Sequence, residues 1–180
     1  MADPANTNTL TPKPVHASRA VKASIVLPPD TNYLGTMFGG KVMAYIDDIA
    51  AISAMRHCRS KVVTASTDSV DFLQPIRVGD SVCLESFVTW TRKTSMEIFV
   101  KVVAEDLMTG DRRVCATSFL TFVAVDDQGK PTLVPPVIPE TEEEKRLHDS
   151  APERADVRRA RREHSKNIAQ EFALRKPWDQ

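Results

Sequence analysis

Little in this sequence pulls in one direction. Its 180 residues carry 24 Lys and Arg against 24 Asp and Glu, a formal net charge of zero. No global field therefore draws it toward nucleic acid or a membrane surface. Cysteine is scarce and odd in number: Cys58, Cys83 and Cys115. Cys83 and Cys115 lie in apolar, strand-like runs, as buried free thiols do in a reducing compartment. No cluster has the spacing of metal ligands, so no metal is expected. Outside one helical stretch, no apolar run approaches the ~18 residues of a membrane span. Nothing reads as a signal peptide, and a cytoplasmic location is the expectation. The length suits one domain with extensions.

What is present centres on residues 32–55. Gly39 and Gly40 stand where a loop becomes a helix, expected over about Gly40 to Arg56. From Val42 to Met55 almost every residue is apolar or small, which predicts a helix buried on most sides. Asp47 and Asp48 interrupt it. An ionised carboxylate in such surroundings needs donors, a partner or a cavity. Adjacent positions lie about 100° apart around the axis, so only one of the two should face inward.

The rest of the chain is organised by extended segments. Residues 1–17, rich in Pro, Asn and Thr, are expected to form a disordered tail. A first strand follows over Arg19–Leu27, stopped by Pro28 and Pro29. After the helix come four more, near 62–73, 81–91, 96–104 and 113–125, joined by polar turns. One strand, one helix and then a meander predict an α+β fold: a five-stranded antiparallel sheet wrapped round the helix, with the domain over 18–130. Four prolines make 131–139 a stiff arm. Thr141 to Glu144 resembles a capping box opening a charged helix, a C-terminal helical extension over 140–180. Its arginines read as a solvated face, with an oligomer contact or a phosphate patch as the other readings. Glu140 to Glu144 offset the basic block, so no nucleic-acid partner is expected.

An ordered series of segments resembles the hotdog-fold acyl-CoA thioesterases, in particular small bacterial members with one hotdog unit per chain. The series is Asn32, Phe38-Gly39-Gly40, Asp47, Met55-Arg56-His57-Cys58, Val63-Thr64-Ala65-Ser66, Asp68 to Phe72, Ser95-Met96-Glu97 and Pro139 to Lys145. It spans about residues 19–146. The resemblance implies hydrolysis of acyl-CoA to CoA and a carboxylic acid. CoA would be substrate moiety and product, and no separate cofactor is implied. It also implies a catalytic pair, Asp47 and Asn32, and a homo-oligomer such as a trimer of dimers. Relatives often carry His where Phe38 stands, which bears on the site wall and on acyl preference.

The chemistry asks for the same residues. A desolvated Asp47 is a stronger base. N–H groups at Gly39 and Gly40 are free at the helix start to receive an oxyanion. Asp47 lies seven residues past Gly40, about 10 Å along the axis, too far for one carbonyl to touch both. Composite sites in a dimer follow. Candidates for the CoA phosphates are the Arg92-Lys93-Thr94-Ser95 turn and the Arg56 to Lys61 cluster. Thr64 and Ser66 are expected to line the site beside Phe38. His57 is expected to cap the helix or face solvent, and Asp68 and Asp71 to be strand-end charges. The alternatives are a hotdog hydratase or dehydratase, which would have to use His57, and a non-catalytic acyl-CoA sensor.

Overall fold

The structure is a computed structural model, and it describes residues 10–172. Two short strands and five long ones are present. β1 is Lys13–Pro14, β2 Ala20–Ile25, β3 Lys61–Phe72, β4 Ser81–Thr91, β5 Ser95–Glu105, β6 Arg112–Val125 and β7 Val137–Ile138. The helices are α1 (Gly39–Cys58), α2 (Glu142–Asp149) and α3 (Ala151–Glu171). The main sheet is antiparallel, in the order β2-β4-β5-β6-β3. The α+β class with a five-stranded antiparallel sheet is borne out.

α1 packs on one face of this sheet through Val42, Ile46, Ile49 and Ser53, the spacing of a single helical stripe. Its one buried polar side chain of that stripe is satisfied: Ser53 Oγ meets Ser86 Oγ at 2.6 Å, and Ser86 donates to the Ile49 carbonyl at 3.0 Å. Burial on most sides is not what one chain achieves. Met43, Ile52 and Met55 remain 41–47% exposed on the outer face, because the sheet curls round only one side of the helix. The helix ends where Arg59 turns left-handed (φ 55°) and donates its N–H to the Met55 carbonyl.

Two expectations change at the chain ends. The disordered tail gives way to order within its second half: β1 pairs in parallel with β7, and Val15 is buried. Residues 1–9 of that expectation, and 173–180 of the C-terminal extension, lie outside the described residues. The proline-rich arm runs across the β4–β5 hairpin, with Val134 N–H on the Lys93 carbonyl at 3.1 Å. The extension is two helices rather than one. Thr141 and Glu144 form the capping box of α2, and the break falls at Ser150, just before Pro152 enters the first turn of α3.

α3 covers the other face of the sheet, and arginines dock it. Glu97 is fully buried and takes Arg154 at 2.7 Å, Arg158 at 3.4 Å and the Thr89 hydroxyl at 2.9 Å. Asp68 takes Arg158 at 2.6 Å, Arg161 at 2.7 Å and the Thr121 hydroxyl at 2.9 Å. So Asp68 is not a strand-end charge but a hub of this network. The charge run is only half a solvated face.

Candidate active site

The two carboxylates of α1 separate as the helical turn requires. Asp48 faces Lys22 of β2 at 3.2 Å. Asp47 instead accepts a hydrogen bond from the Thr64 hydroxyl of β3 at 2.9 Å. That bond fixes one oxygen of Asp47 and leaves the other for a reactant. Asp47 is exposed within the single chain, so the desolvation expected of it is not supplied by its own sheet.

Thr64 reaches Asp47 because of a break in strand register. Thr64 pairs with Phe122, whose ring is in the core beneath α1, but Ser66 pairs with Thr121 on the opposite face. The extra residue, Ala65, is a β-bulge that turns the alternation over. Ser66 therefore does not stand beside Thr64. It bonds Asp68 at 2.6 Å and Arg161 at 2.7 Å, on the α3 side. This corrects the expectation that both residues line one site.

Asn32 sits at the start of a tight loop before α1. Its Oδ1 accepts the Leu34 N–H at 2.9 Å and the Thr36 N–H at 3.3 Å, and its Nδ2 donates to the Thr36 hydroxyl at 3.0 Å. The oxygen is thus locked to backbone donors, which settles the orientation of the amide. An amide nitrogen has two N–H bonds, so one is left over for a substrate. The same loop leaves Tyr33, Leu34 and Phe38 largely exposed.

Phe38 opens α1 in an extended conformation, and no side chain caps the helix. The first donors into its carbonyl are Lys41 at 2.9 Å and Val42 at 3.2 Å, which leaves the N–H groups of Gly39 and Gly40 outside the helical ladder. A Cβ on Gly40 would come within 2.5 Å of the Phe38 ring, so glycine lets that ring fold over the helix start. Beside Gly39 lies an apolar cavity of about 360 Å³ between Met37, Val42, Phe72 and Ile76. Charge at this end is paired: Asp30 meets Lys41 at 3.3 Å. The Leu27 N–H, and then Lys41, hold the Asp30 carboxyl below its usual range, and Asp30 in turn raises Lys41.

The phosphate candidates do not stay together. Arg56 donates to the Arg19 carbonyl, and Lys61 pairs with Asp127 at 2.9 Å on an open surface. Arg92, Thr94 and Ser95 line a groove of about 370 Å³ beneath α3, whereas Lys93 turns to the proline-rich arm. His57 is neither cap nor surface residue. It is fully buried, with Nε2 on the Pro135 carbonyl at 2.8 Å and Nδ1 without a partner among the described residues. Burial holds its imidazole below the ordinary value, against the pull of the Pro135 carbonyl. Sequence reasoning missed Thr36 as the partner of Asn32, although their four-residue separation is a local side-chain pairing distance. It named Thr64 as lining but not as the group that holds Asp47.

Residues 34–110 match the model of the thioesterase superfamily. The uncharacterized acyl-CoA thioester hydrolase YkhA of Bacillus subtilis is 61% identical over 161 residues, 89% of this chain and 94% of that protein. An apo-hexameric acyl-CoA thioesterase of known structure is 56% identical, with a TM-score of 0.83 over 84% of this chain and 97% of its own. The acyl-CoA hydrolase of Staphylococcus aureus, solved with butyryl coenzyme A, coenzyme A and coenzyme A disulfide, is 47% identical with a TM-score of 0.84 over 88% of this chain and 96% of its own. It has also been solved with an aspartate, an asparagine and a threonine each replaced by alanine, and the three are spaced along that chain as Asp47, Asn32 and Thr64 are here. On fold, sequence and coverage together, the chain belongs to the hotdog-fold acyl-CoA thioesterases.

Proposed function

We propose that this protein hydrolyses acyl-CoA thioesters to CoA and a carboxylic acid, with Asp47 as general base and Asn32 as oxyanion donor. One observation carries the reading: among the described residues the Asp47 carboxylate is held by a single donor, Thr64, and its side chain is exposed. Water attacks the thioester carbonyl while Asp47 takes its proton. Negative charge gathers on the carbonyl oxygen, which accepts the free N–H of Asn32 and the N–H of Gly39 or Gly40. The C–S bond then breaks, and the CoA thiolate leaves with the proton that Asp47 held. Thr64 is a positioning residue, acting through Asp47.

The magnitudes favour directed donors over the helix field. An oxyanion donor is worth roughly 2.7–4 kcal/mol, whereas a helix dipole contributes about 0.3–1 kcal/mol. The helix start and Asp47 are about 10 Å apart along α1, so the two halves of a site come from two copies of the chain. The unpaired edge of β3 and the apolar outer face of α1 are the surfaces such a homodimer would cover. Covering that face also supplies the desolvation Asp47 lacks in one chain. A trimer of these dimers gives the hexamer described for the relative. CoA enters as part of the substrate, and no cofactor takes part. A cytoplasmic site of action fits a chain in which, among the described residues, no helix is long and apolar enough to cross a membrane.

The test is Asp47→Asn, assayed by release of free thiol from acyl-CoA. The rate constant kcat should fall about 10³-fold, roughly 4 kcal/mol, while melting temperature and assembly stay parental. A parental rate in the amide variant would end the proposal. Mixed Asp47→Ala and Asn32→Ala subunits should regain one working site per heterodimer. Single-turnover reaction in labelled water distinguishes a general base, which leaves Asp47 unlabelled, from a nucleophile, which acquires label. The hydratase reading would have to use His57, which is buried with its Nε2 on the Pro135 carbonyl.

A further inference from the structure

Asp80 stands just before β4 and Arg113 near the start of β6, yet the two form an ion pair in which Asp80 is buried and Arg113 half-buried. A bulge brings them together. Val102 pairs with Ala116 but Val103 pairs with Val114, so Cys115 is an extra residue in β6. Past it, Arg113 lies opposite the fully buried Ala104, on the α1 side of the sheet, and Val114 turns to the other face. The Cys115 carbonyl accepts the Leu73 N–H at 2.8 Å and the Gln74 N–H at 3.3 Å as the chain leaves β3.

What the pair holds is a turn. Arg113 donates to the Asp80 carboxylate and, from Nε at 3.3 Å and Nη2 at 3.2 Å, to the Pro75 carbonyl. The same Asp80 oxygen accepts the Arg77 N–H at 2.7 Å. The Asp80 N–H closes on the Arg77 carbonyl at 3.2 Å, with Gly79 left-handed between them (φ 89°). One guanidinium and one carboxylate thus fix residues 75–80. The Asn32 loop rests on this turn. Met37 donates its N–H to the Ile76 carbonyl at 2.8 Å, and Thr36 pairs antiparallel with Arg77. Among the described residues, the other backbone bonds donated by residues 31–36 to carbonyls stay local: Thr31 to Pro28, Asn32 to Thr36 and Gly35 to Asn32. The Asn32 amide takes its partners from Leu34 and Thr36, so it goes where Thr36 goes.

We propose that Asp80 and Arg113 are positioning residues for hydrolysis, aiming the free Nδ2 N–H of Asn32 at the thioester oxygen through the 75–80 turn and Thr36. The inference rests on the thioesterase reading of Asn32. Both residues act through the backbone, at a distance from the reacting atoms. Such groups matter because a misplacement of about 1 Å can cost on the order of 10²-fold in rate. An amide at position 80 still offers an acceptor to the Arg77 N–H, but it gives up the charge that draws in the guanidinium. It loosens the turn without deleting it.

The experiment is Asp80→Asn, assayed by thiol release from butyryl-CoA, alone and combined with Asn32→Ala or with Thr64→Val. Alone it should lower kcat about tenfold and leave KM within about twofold, with assembly parental. Added to Asn32→Ala it should cost less than about twofold more, because the group it aims is gone. Added to Thr64→Val, which acts through Asp47, it should still cost about tenfold. Equal losses in both backgrounds are what a merely structural role gives, and they overturn the proposal, as does a parental kcat in Asp80→Asn. Arg113→Lys keeps the charge and loses the fork on the Pro75 carbonyl. It should show the same dependence on background, so the test stands if one variant fails to fold. Hydrogen exchange reads the loop without turnover: the Leu34 and Thr36 N–H groups should exchange at least about tenfold faster in the variants, with β5 parental. Unchanged exchange there also overturns the proposal. A parent that releases no thiol refutes the activity, and exchange then decides whether the pair sets the Asn32 amide.

Discussion

α1 and α3 lie on opposite faces of one sheet and are held in opposite ways. α1 is fastened by apolar side chains, and the carboxylate proposed as the base, Asp47, is left with one hydrogen bond among the described residues and an open side. α3 is fastened by two buried or half-buried carboxylates, each shared between arginines. Burial of apolar surface is non-directional and tolerant, so α1 can be firmly seated without constraining Asp47. A buried ionic network is directional and intolerant of a missing member. The face proposed to do chemistry is therefore held by contacts that ask nothing of its charges, and the face that carries charge is held by charges.

That contrast breaks most severely at Glu97. Glu97→Ala would strand two arginines on a buried surface, and a loss of about 3–5 kcal/mol is expected from chemical denaturation. Activity per folded molecule should hardly move, since the network lies on the face of the sheet away from Asp47. On the α1 side, Ile49→Ala should cost about 2–5 kcal/mol, a cavity in the core rather than an orphaned charge. The two losses should differ in kind: raising salt should partly relieve the first and leave the second alone.

Thr64→Val tests the single bond to Asp47. It should lower kcat about tenfold, roughly 1.4 kcal/mol, leave KM near parental and barely change stability. A fall as large as that of Asp47→Asn would mean that Thr64 touches the substrate itself. The smallest effect concerns His57. Its folded-state pKa is depressed by burial, so the unfolded chain binds a proton more readily. Stability should be flat above about pH 6.5 and then fall by up to about 1.4 kcal/mol per unit as pH drops below it, until the buried ring itself titrates. His57→Gln should flatten that limb of the profile.

What could be read in advance follows the range of each cause. Most of strand β4 was legible, because Val82, Leu84, Ser86 and Val88 alternate inward along one local run, up to the register shift between Val88 and Trp90 that ends the alternation. The Asp47 and Asp48 separation was legible too, since it depends only on helical pitch. His57 was misread because its partner, Pro135, is 78 residues away. Ser66 was misread because a bulge cannot be seen in a strand that has not yet been paired. The α3 arginines looked like a solvated face because nothing local marks Asp68 and Glu97 as their destinations. Asn32, by contrast, was found through family likeness, although its loop partner Thr36 is close in sequence.

β3 holds one last consequence. It slips twice against β6, once between Thr64 and Ser66 and again between Thr67 and Ser69. The first slip delivers Ser66 and Asp68 to α3, and the second returns Val70 to the core side opposite Ser118. The slips cancel only as a pair. Deleting one residue from either would send every side chain beyond it through to the wrong surface, so this strand is a ribbon with a double twist whose count of residues matters more than their identity.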